Sequence, residues 1–275
     1  MSKTSVATFI QEIKQQGIEI PKLQISSLGG LHFVSASDGD PKGIMVNEVA
    51  AGVDYDADTA VAKSLVEFYE RKVFSEGIRN QNPICIRRHS DGIASYPAKI
   101  ENCFELAKEN ALAEATERFV WAKWWDDHEI QFSTQKIEES IFWENSKFRV
   151  TLADLGKIIS INSVKIIQPE VKNTNFKVII LLAEIDGLGF ITGGAAGLSE
   201  MTVFIRAFSE LARHGVGLSR FIKTKQEPMT FYEKRLLYFG LGEGNKAVNE
   251  RLSLTSHTAV ELPDLEIDHR ITSNL

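Results

Sequence analysis

Ala107-Lys-Glu-Asn-Ala-Leu-Ala-Glu-Ala-Thr-Glu-Arg-Phe-Val-Trp121 contains neither proline nor glycine and predicts one uninterrupted helix. At about 100° per residue, Asn110, Glu114 and Glu117 share one narrow strip, with Arg118 beside it. Leu112, Ala113, Ala115, Phe119 and Val120 cover most of the remaining circumference. A surface helix normally shows the reverse, an apolar stripe and a broad wet face. The carboxylates of this helix are therefore expected to point into the molecule, towards positive charge.

The same pattern occurs earlier in the chain. Leu65-Val-Glu67-Phe-Tyr-Glu70-Arg71-Lys-Val73-Phe74 matches Leu112-Ala-Glu114-Ala-Thr-Glu117-Arg118-Phe-Val120-Trp121. Four residues before the first glutamate stands a polar residue, Lys63 in one copy and Asn110 in the other. A third segment, Arg206-Ala-Phe-Ser-Glu210-Leu-Ala-Arg213, repeats the geometry with a different charge order. Polar groups at i, i+4 and i+7 lie on one helix face. Each segment follows a predicted strand or turn and a glycine: Gly52, Gly92, and Gly193-Gly194. The expectation is one strand–glycine–helix unit used three times, its polar stripes converging on a shared cleft.

Around these units the chain reads as a single α/β domain over residues 1–275. The motif-bearing core covers about residues 30–215, and a helical C-terminal part and tail cover 216–275. Residues 3–15 predict an amphipathic helix; Leu31–Ser37 and Ile44–Gly52 predict strands. Thr59 to about Ser75 predicts a helix with Asp56 or Asp58 as N-cap. Strands are expected at Pro83–Arg87, Ser160–Ile167, Lys177–Ala183 and Gly187–Gly194, and a glycine-broken strand or a turn at Asp91–Ala94. The continuous apolar run of the Lys177 segment indicates burial on both faces. Val150–Leu152 is read as a short strand or a helix start, Ser199–His214 as a helix stopped by Gly215, and Met229–Phe239 as a helix closed by Gly240. Gly240, Gly242 and Gly244 read as a turn, and the tail from Leu252 as loop. Strands and helices alternate irregularly, so a mixed sheet is expected rather than a purely parallel one.

Composition sets the limits. A formal net charge of -6 argues against broad binding of nucleic acid. No apolar run is long enough to span a membrane, and Met-Ser-Lys-Thr-Ser-Val at the start has no signal-peptide core. Cys85 and Cys103 have no metal spacing, so the default compartment is the reducing cytoplasm. His89 and His128 likewise lack metal spacing, Ser64 lacks a recognisable base, and Trp121, Trp124 and Trp125 are read as core.

A single Glu-x-x-Glu-Arg is ordinarily a solvated helix face with local ion pairs. Two near-identical copies inside apolar helices, with an arginine-bearing third, form a more specific set. Clustered carboxylates repel unless a cation bridges them, and hard oxygen ligands suit Mg²⁺. Arginines such as Arg71, Arg118, Arg206 and Arg213 grip phosphate oxygens in pairs. The combination describes a site for a Mg-bound polyphosphate, although no P-loop is present.

At these residues the chain resembles the YcaO family. That family's pattern runs Ser-Ala-Leu-x-Glu-x-x-Glu-Arg, then Ser-Asn-Gly-x-Ala, then Glu-x-Ala-x-x-x-Ala-Leu-x-Glu-x-x-Glu-Arg, and later Arg-Ala-x-x-Glu-x-x-Gln/Arg. The chain offers Lys63-Ser-Leu-Val-Glu67-Phe-Tyr-Glu70-Arg71, Ser90-Asp-Gly-Ile-Ala94, Glu105-Leu-Ala107 leading into Ala111-Leu112-Ala-Glu114-Ala-Thr-Glu117-Arg118, and Arg206-Ala-Phe-Ser-Glu210-Leu-Ala-Arg213. Lys63 stands where the family often has serine, and Asp91 where it often has asparagine.

The resemblance implies a YcaO-like domain using ATP and Mg²⁺ to phosphorylate a peptide backbone amide. The products would be azoline heterocycles, thioamides or macroamidines in ribosomally made peptides such as bacteriocins. It implies Glu67, Glu70, Glu114, Glu117 and Glu210 as the metal set. Lys63, Ser64, Asn110, Arg118, Arg206 and Arg213 form the expected nucleotide set, and no catalytic residue is assigned. The implied partners are a precursor peptide and, with no fused leader-binding domain or proline-rich tail evident, a separate leader-peptide-binding protein (ocin-ThiF-like or related). A homo- or hetero-oligomer is compatible with this. The alternatives are a non-catalytic YcaO-like scaffold or substrate-binding subunit, and an unrelated Mg-dependent phosphohydrolase.

Overall fold

The computed structural model describes residues 19–39, 49–79, 103–127, 134–228, 230–253 and 258–263, together with residues 10, 11, 14, 15, 129, 130 and 132. Most of the helix expected at 3–15, the start of the strand expected at 44–52, the strand expected at 83–87, the strand or turn expected at 91–94, and Cys85, His89, Asp91 and His128 lie outside these residues.

Strands β1 (Lys22–Leu28), β2 (Leu31–Ser37) and β3 (Val49–Asp54) form an antiparallel sheet in that order. Gly29 and Gly30, at φ +56° and +81°, make the two-residue turn between β1 and β2, where both central residues need positive φ. Helix α1 (Ala57–Arg79) packs on this sheet and buries Phe68 against Ala36 and Ala50. The expected N-cap is Asp56, whose Oδ1 accepts from Thr59 N at 2.8 Å.

Gly52 brings β3 against α1 with no room for a side chain. A Cβ there would lie 1.9 Å from Ala60 O and 2.6 Å from Ser64 N, both backbone atoms that cannot swing aside. Gly52→Ala is therefore expected to destabilise the fold by about 3 kcal/mol, read as a lowered denaturation midpoint.

The second sheet has the order β4-β5-β7-β8 and is antiparallel throughout. Its strands are β4 (Thr134–Lys136), β5 (Ile161–Ile167), β7 (Lys177–Ile185) and β8 (Phe190–Gly197). Between β5 and β7, the short β6 (Val171–Lys172) pairs in parallel with β9 (Val260–Glu261).

As the apolar run predicts, β7 is buried on both faces. Ile179, Leu181, Ala183 and Ile185 join the main core, with Phe204, Ala207, Phe208 and Leu211 of α4 (Glu200–Thr224) and Phe148 and Leu155 of α3 (Ser146–Ile158). The alternate residues Val178 and Ile180 face α2 (Cys103–Asp126), meeting Ala113, Val120 and Trp124. Helices α5 (Phe231–Gly240) and α6 (Asn245–Leu252) complete the C-terminal part. Trp125 stacks between Trp124 and Phe239, so the tryptophans are packing residues, as expected.

The α/β class is as expected, but several local readings differ. Gly215 does not stop α4, which continues to Thr224. It is a contact glycine: a Cβ there would come within 2.8 Å of Ile159 Cδ1 and 2.9 Å of Leu155 Cδ1. Val150–Leu152 lies inside α3, whose N-cap Asn145 accepts from Phe148 N at 3.1 Å. The glycine-rich turn is followed by α6, and the expected loop beyond Leu252 contains β9.

Candidate functional site

Two of the three expected units are described, β3–α1 and β8–α4, and they share one device. Ala51 N–H donates to Glu67 Oε2 at 3.0 Å, and Gly194 N–H donates to Glu210 Oε2 at 3.0 Å, each across a separation of sixteen residues. Lys63 Nζ donates to Val53 O at 3.3 Å, and Arg206 Nη1 donates to Ala196 O at 3.3 Å, each across ten residues. In both units the cation stands one helical turn before the glutamate. Both polar groups reach the adjacent strand, satisfying backbone groups that strand pairing leaves open. For these two helices the i, i+4 spacing reflects a grip on a strand edge. The strand expected to precede α2 lies outside the described residues.

Each glutamate also meets an arginine on its own helix. Arg71 pairs with Glu67, Arg118 pairs with Glu114, and Arg213 Nη2 lies 3.5 Å from Glu210 Oε1. Lys63 turns away from Glu67 and pairs with Asp54 at 2.6 Å. Ser64 is fully buried and donates to Val61 O at 2.8 Å, so its hydroxyl faces its own helix. Glu70 is half-buried on α1, and Asn110 is half-buried on the polar strip of α2.

The charges meet at Gly194. Glu210 accepts its amide from α4, and a Cβ on Gly194 would lie 3.1 Å from Glu117 Oε1 and 2.5 Å from Trp121 Nε1, both on α2. Helices on opposite faces of the sheet thus bring two carboxylates to one glycine on its end strand. The missing side chain is what lets them approach. Burial first, then the charges of Glu210 and Glu114, push Glu117 up to about 8, while Arg206 and Arg118 oppose the shift. Its carboxyl is therefore largely protonated at neutral pH.

On the other side of Glu210 stands Arg213. Burial works against its charge, but Tyr232, Glu210 and, from α1, Glu67 outweigh that cost and raise its pKa. Its Nε–H is buried and has no acceptor among the described residues. The field of Arg213 thus joins the α1 unit to the α4 unit, and Glu117 joins α4 to α2. Among the described residues no group of three or more His, Cys, Asp or Glu side chains is arranged to hold a metal.

Sequence reading passed over a second polar chain behind this site. His214 Nδ1–H donates to Thr192 O at 2.6 Å, and its Nε2 accepts from the Tyr232 hydroxyl. Burial raises the Tyr232 pKa, and the charge of Arg213 opposes that rise. The one signal in the sequence was a histidine immediately after a motif arginine.

No protein-family model and no curated protein sequence matches the chain. Its architecture does match solved structures. YcaO from Methanopyrus kandleri bound with AMPPCP and Mg²⁺ superposes with a TM-score of 0.54 at 15% identity, over 96% of this chain and 77% of that one. The E. coli microcin synthetase McbBCD complex matches with a TM-score of 0.58 at 12% identity, over 92% of this chain and 78% of that one. The chain has a YcaO-like fold.

Proposed function

We propose that the protein is a YcaO-type enzyme that uses ATP and Mg²⁺ to activate a peptide backbone amide. The observation that carries this reading is the meeting of Glu117 and Glu210 at Gly194, with Arg118, Arg206 and Arg213 around them. A carboxyl pushed to about 8 by burial and then by its neighbours' negative charge is a group that a divalent cation would return to its ionised form. An arginine donor without an acceptor is a place for a phosphate oxygen. The residues therefore fit Mg-ATP, and the solved relative from M. kandleri, bound with AMPPCP and Mg²⁺, supports the same ligand.

In this reading a bound cation would gather Glu117, Glu210, Glu114, Glu67 and Glu70, which are not arranged as a metal-binding group without it, and Arg118, Arg206, Arg213 and Asn110 would line the phosphates. Lys63 holds the β3 edge through Val53 and Asp54. Bound Mg-ATP supplies an electrophilic γ-phosphate for the amide oxygen. The chain's own part is to hold the phosphates in line and to neutralise charge as ADP leaves. The substrate is a ribosomal precursor peptide presented by a separate leader-binding protein. The likeness to the microcin synthetase complex supports a multi-protein assembly.

The test is isotopic. A Cys/Ser/Thr-rich precursor peptide encoded beside the gene is labelled with ¹⁸O at its backbone amides and incubated with protein, leader-binding partner and Mg-ATP. Peptide-dependent ADP release with ¹⁸O in the phosphate is expected. Equal turnover without peptide, with phosphate oxygen drawn from water, would mean a phosphohydrolase instead. Nucleotide binding that peptide never converts to ADP would mean a scaffold.

A further inference from the structure

A strand edge is closed, shortened or paired, because its outward N–H and C=O groups otherwise recruit another chain. The edges of the two main sheets differ in this respect. On β8 the edge is closed by α4: Arg206 meets Ala196 O, Glu210 meets the Gly194 amide and His214 meets Thr192 O. On β3, α1 does the same through Lys63 and Glu67. The β4 edge is only three residues long. The fourth edge, β1, runs for seven residues and has no such cover among the described residues.

Register shows which groups of β1 are open. The two-residue Gly29-Gly30 turn closes on Leu28 and Leu31 as a hydrogen-bonded pair, so Leu28, Ser26 and Gln24 bond β2. The N–H and C=O of Leu23, Ile25 and Ser27 therefore point outward, and among the described residues nothing bonds them. Ile25 is 60% exposed, and Gln24, Ser26 and Ser27 are exposed as well. From Leu23 to Leu28 the strand has no charge, proline or bulge, the devices that ordinarily keep an edge from pairing. Leu23 and Ile25 share the sheet face that carries α1, whereas Gln24 and Ser26 lie on the other. An added strand would thus meet apolar side chains on one face and polar ones on the other.

We propose that β1 is the docking edge for the peptide substrate, which joins the sheet there as an extended strand with apolar residues at alternate positions. The inference rests on the reading above that the substrate is a peptide. A second copy of the chain also offers a backbone, but one seven-residue edge buries far less than the roughly 1,200 Å² that a stable dimer needs. A short peptide needs only the row of main-chain bonds and a few side-chain contacts. The docking edge and the site also share a sheet. Strand β3, whose edge Lys63 and Glu67 close, lies two strand spacings from β1, about 10 Å. A peptide held on β1 is fixed to the same sheet as the α1 unit of the site, with its remaining residues free to reach that site.

The test combines amide exchange with a single proline. Residue-resolved hydrogen exchange on the full chain, followed by NMR, is compared with and without the precursor peptide of the isotopic test. Slowed exchange at Leu23, Ile25 and Ser27 on adding peptide is expected. Ile25→Pro removes one outward N–H and no bond of the β1–β2 ladder. It is expected to melt close to wild type and to raise the peptide KM for ADP release about tenfold, with kcat at saturating peptide held. Should that variant not fold, Ser27→Pro removes the next outward N–H, and the exchange result stands without either. Unchanged exchange at the three amides, or a folded proline variant with wild-type KM, would overturn the proposal alone. So would protection that needs no peptide and grows with protein concentration, which would mark a second copy. A wild type that releases no ADP with peptide would overturn the functional reading, and this inference with it.

Discussion

Glu117→Gln is expected to abolish Mg-dependent ATP binding while making the metal-free protein more stable in mild alkali. The two effects share one cause. Burial, then Glu210 and Glu114, raise the Glu117 carboxyl from 4.5 to about 8. Between those values the folded chain holds a proton that the unfolded chain has released. The associated stability is fully present below the unfolded value and is lost as pH rises through the folded one. Metal-free wild type should therefore melt lower at about pH 8 than at about pH 5. A glutamine carries no charge to desolvate. The variant should match wild type at the lower pH and melt roughly 5 °C higher at the upper one. Its affinity for Mg-ATP should fall at least about 100-fold, because a neutral amide is a poor ligand for a hard cation. A carboxylate whose removal stabilises the empty fold fits a site in which burial and repulsion are held in reserve for a ligand.

The second large effect separates the two duties of Glu210. One carboxylate oxygen accepts the Gly194 amide and the other faces Arg213. Glu210→Ala leaves both donors without that acceptor, at an expected cost of about 3 kcal/mol, which lowers the melting temperature by roughly 8 °C. Glu210→Gln keeps an oxygen for Gly194 and loses the charge. It should melt within about 3 °C of wild type while losing Mg-ATP binding as fully as the alanine variant. Melting curves and nucleotide titrations on the two variants would show whether fold and binding part in this way. If both variants melt alike, the Gly194 contact is not what the side chain contributes to stability.

Much of this site was legible in the sequence, for a physical reason. Carboxylates on a mostly apolar helix must face something, and the repeated Glu-x-x-Glu-Arg gave that helix a counterpart. What the letters hid was the third dimension. Lys63 and Arg206 looked like phosphate ligands, yet both first satisfy strand carbonyls, at Val53 and Ala196. Ser64 matched a motif position but points into its own helix, because Gly52 draws α1 onto β3 at that turn. Gly215 read as a helix stop, since a backbone break and a close contact both call for glycine and only packing tells them apart. The Tyr232–His214 chain had no motif because its members meet through folding, eighteen residues apart. Strands with alternating or continuous apolar residues, such as β2 and β7, were readable from pattern alone. The polar, mostly exposed β1 offered no pattern to read.

If the converging carboxylates and arginines form a Mg-ATP site, its empty state stores a proton on Glu117. Titration calorimetry of wild type with ATP, in excess Mg²⁺ and in EDTA, using buffers of different ionisation enthalpy, tests it most directly. Saturable binding is expected only with Mg²⁺, with release of about one proton near pH 7, and neither signal in Glu117→Gln. Binding that persists in EDTA or in the glutamine variant, or no binding by wild type at all, would contradict it.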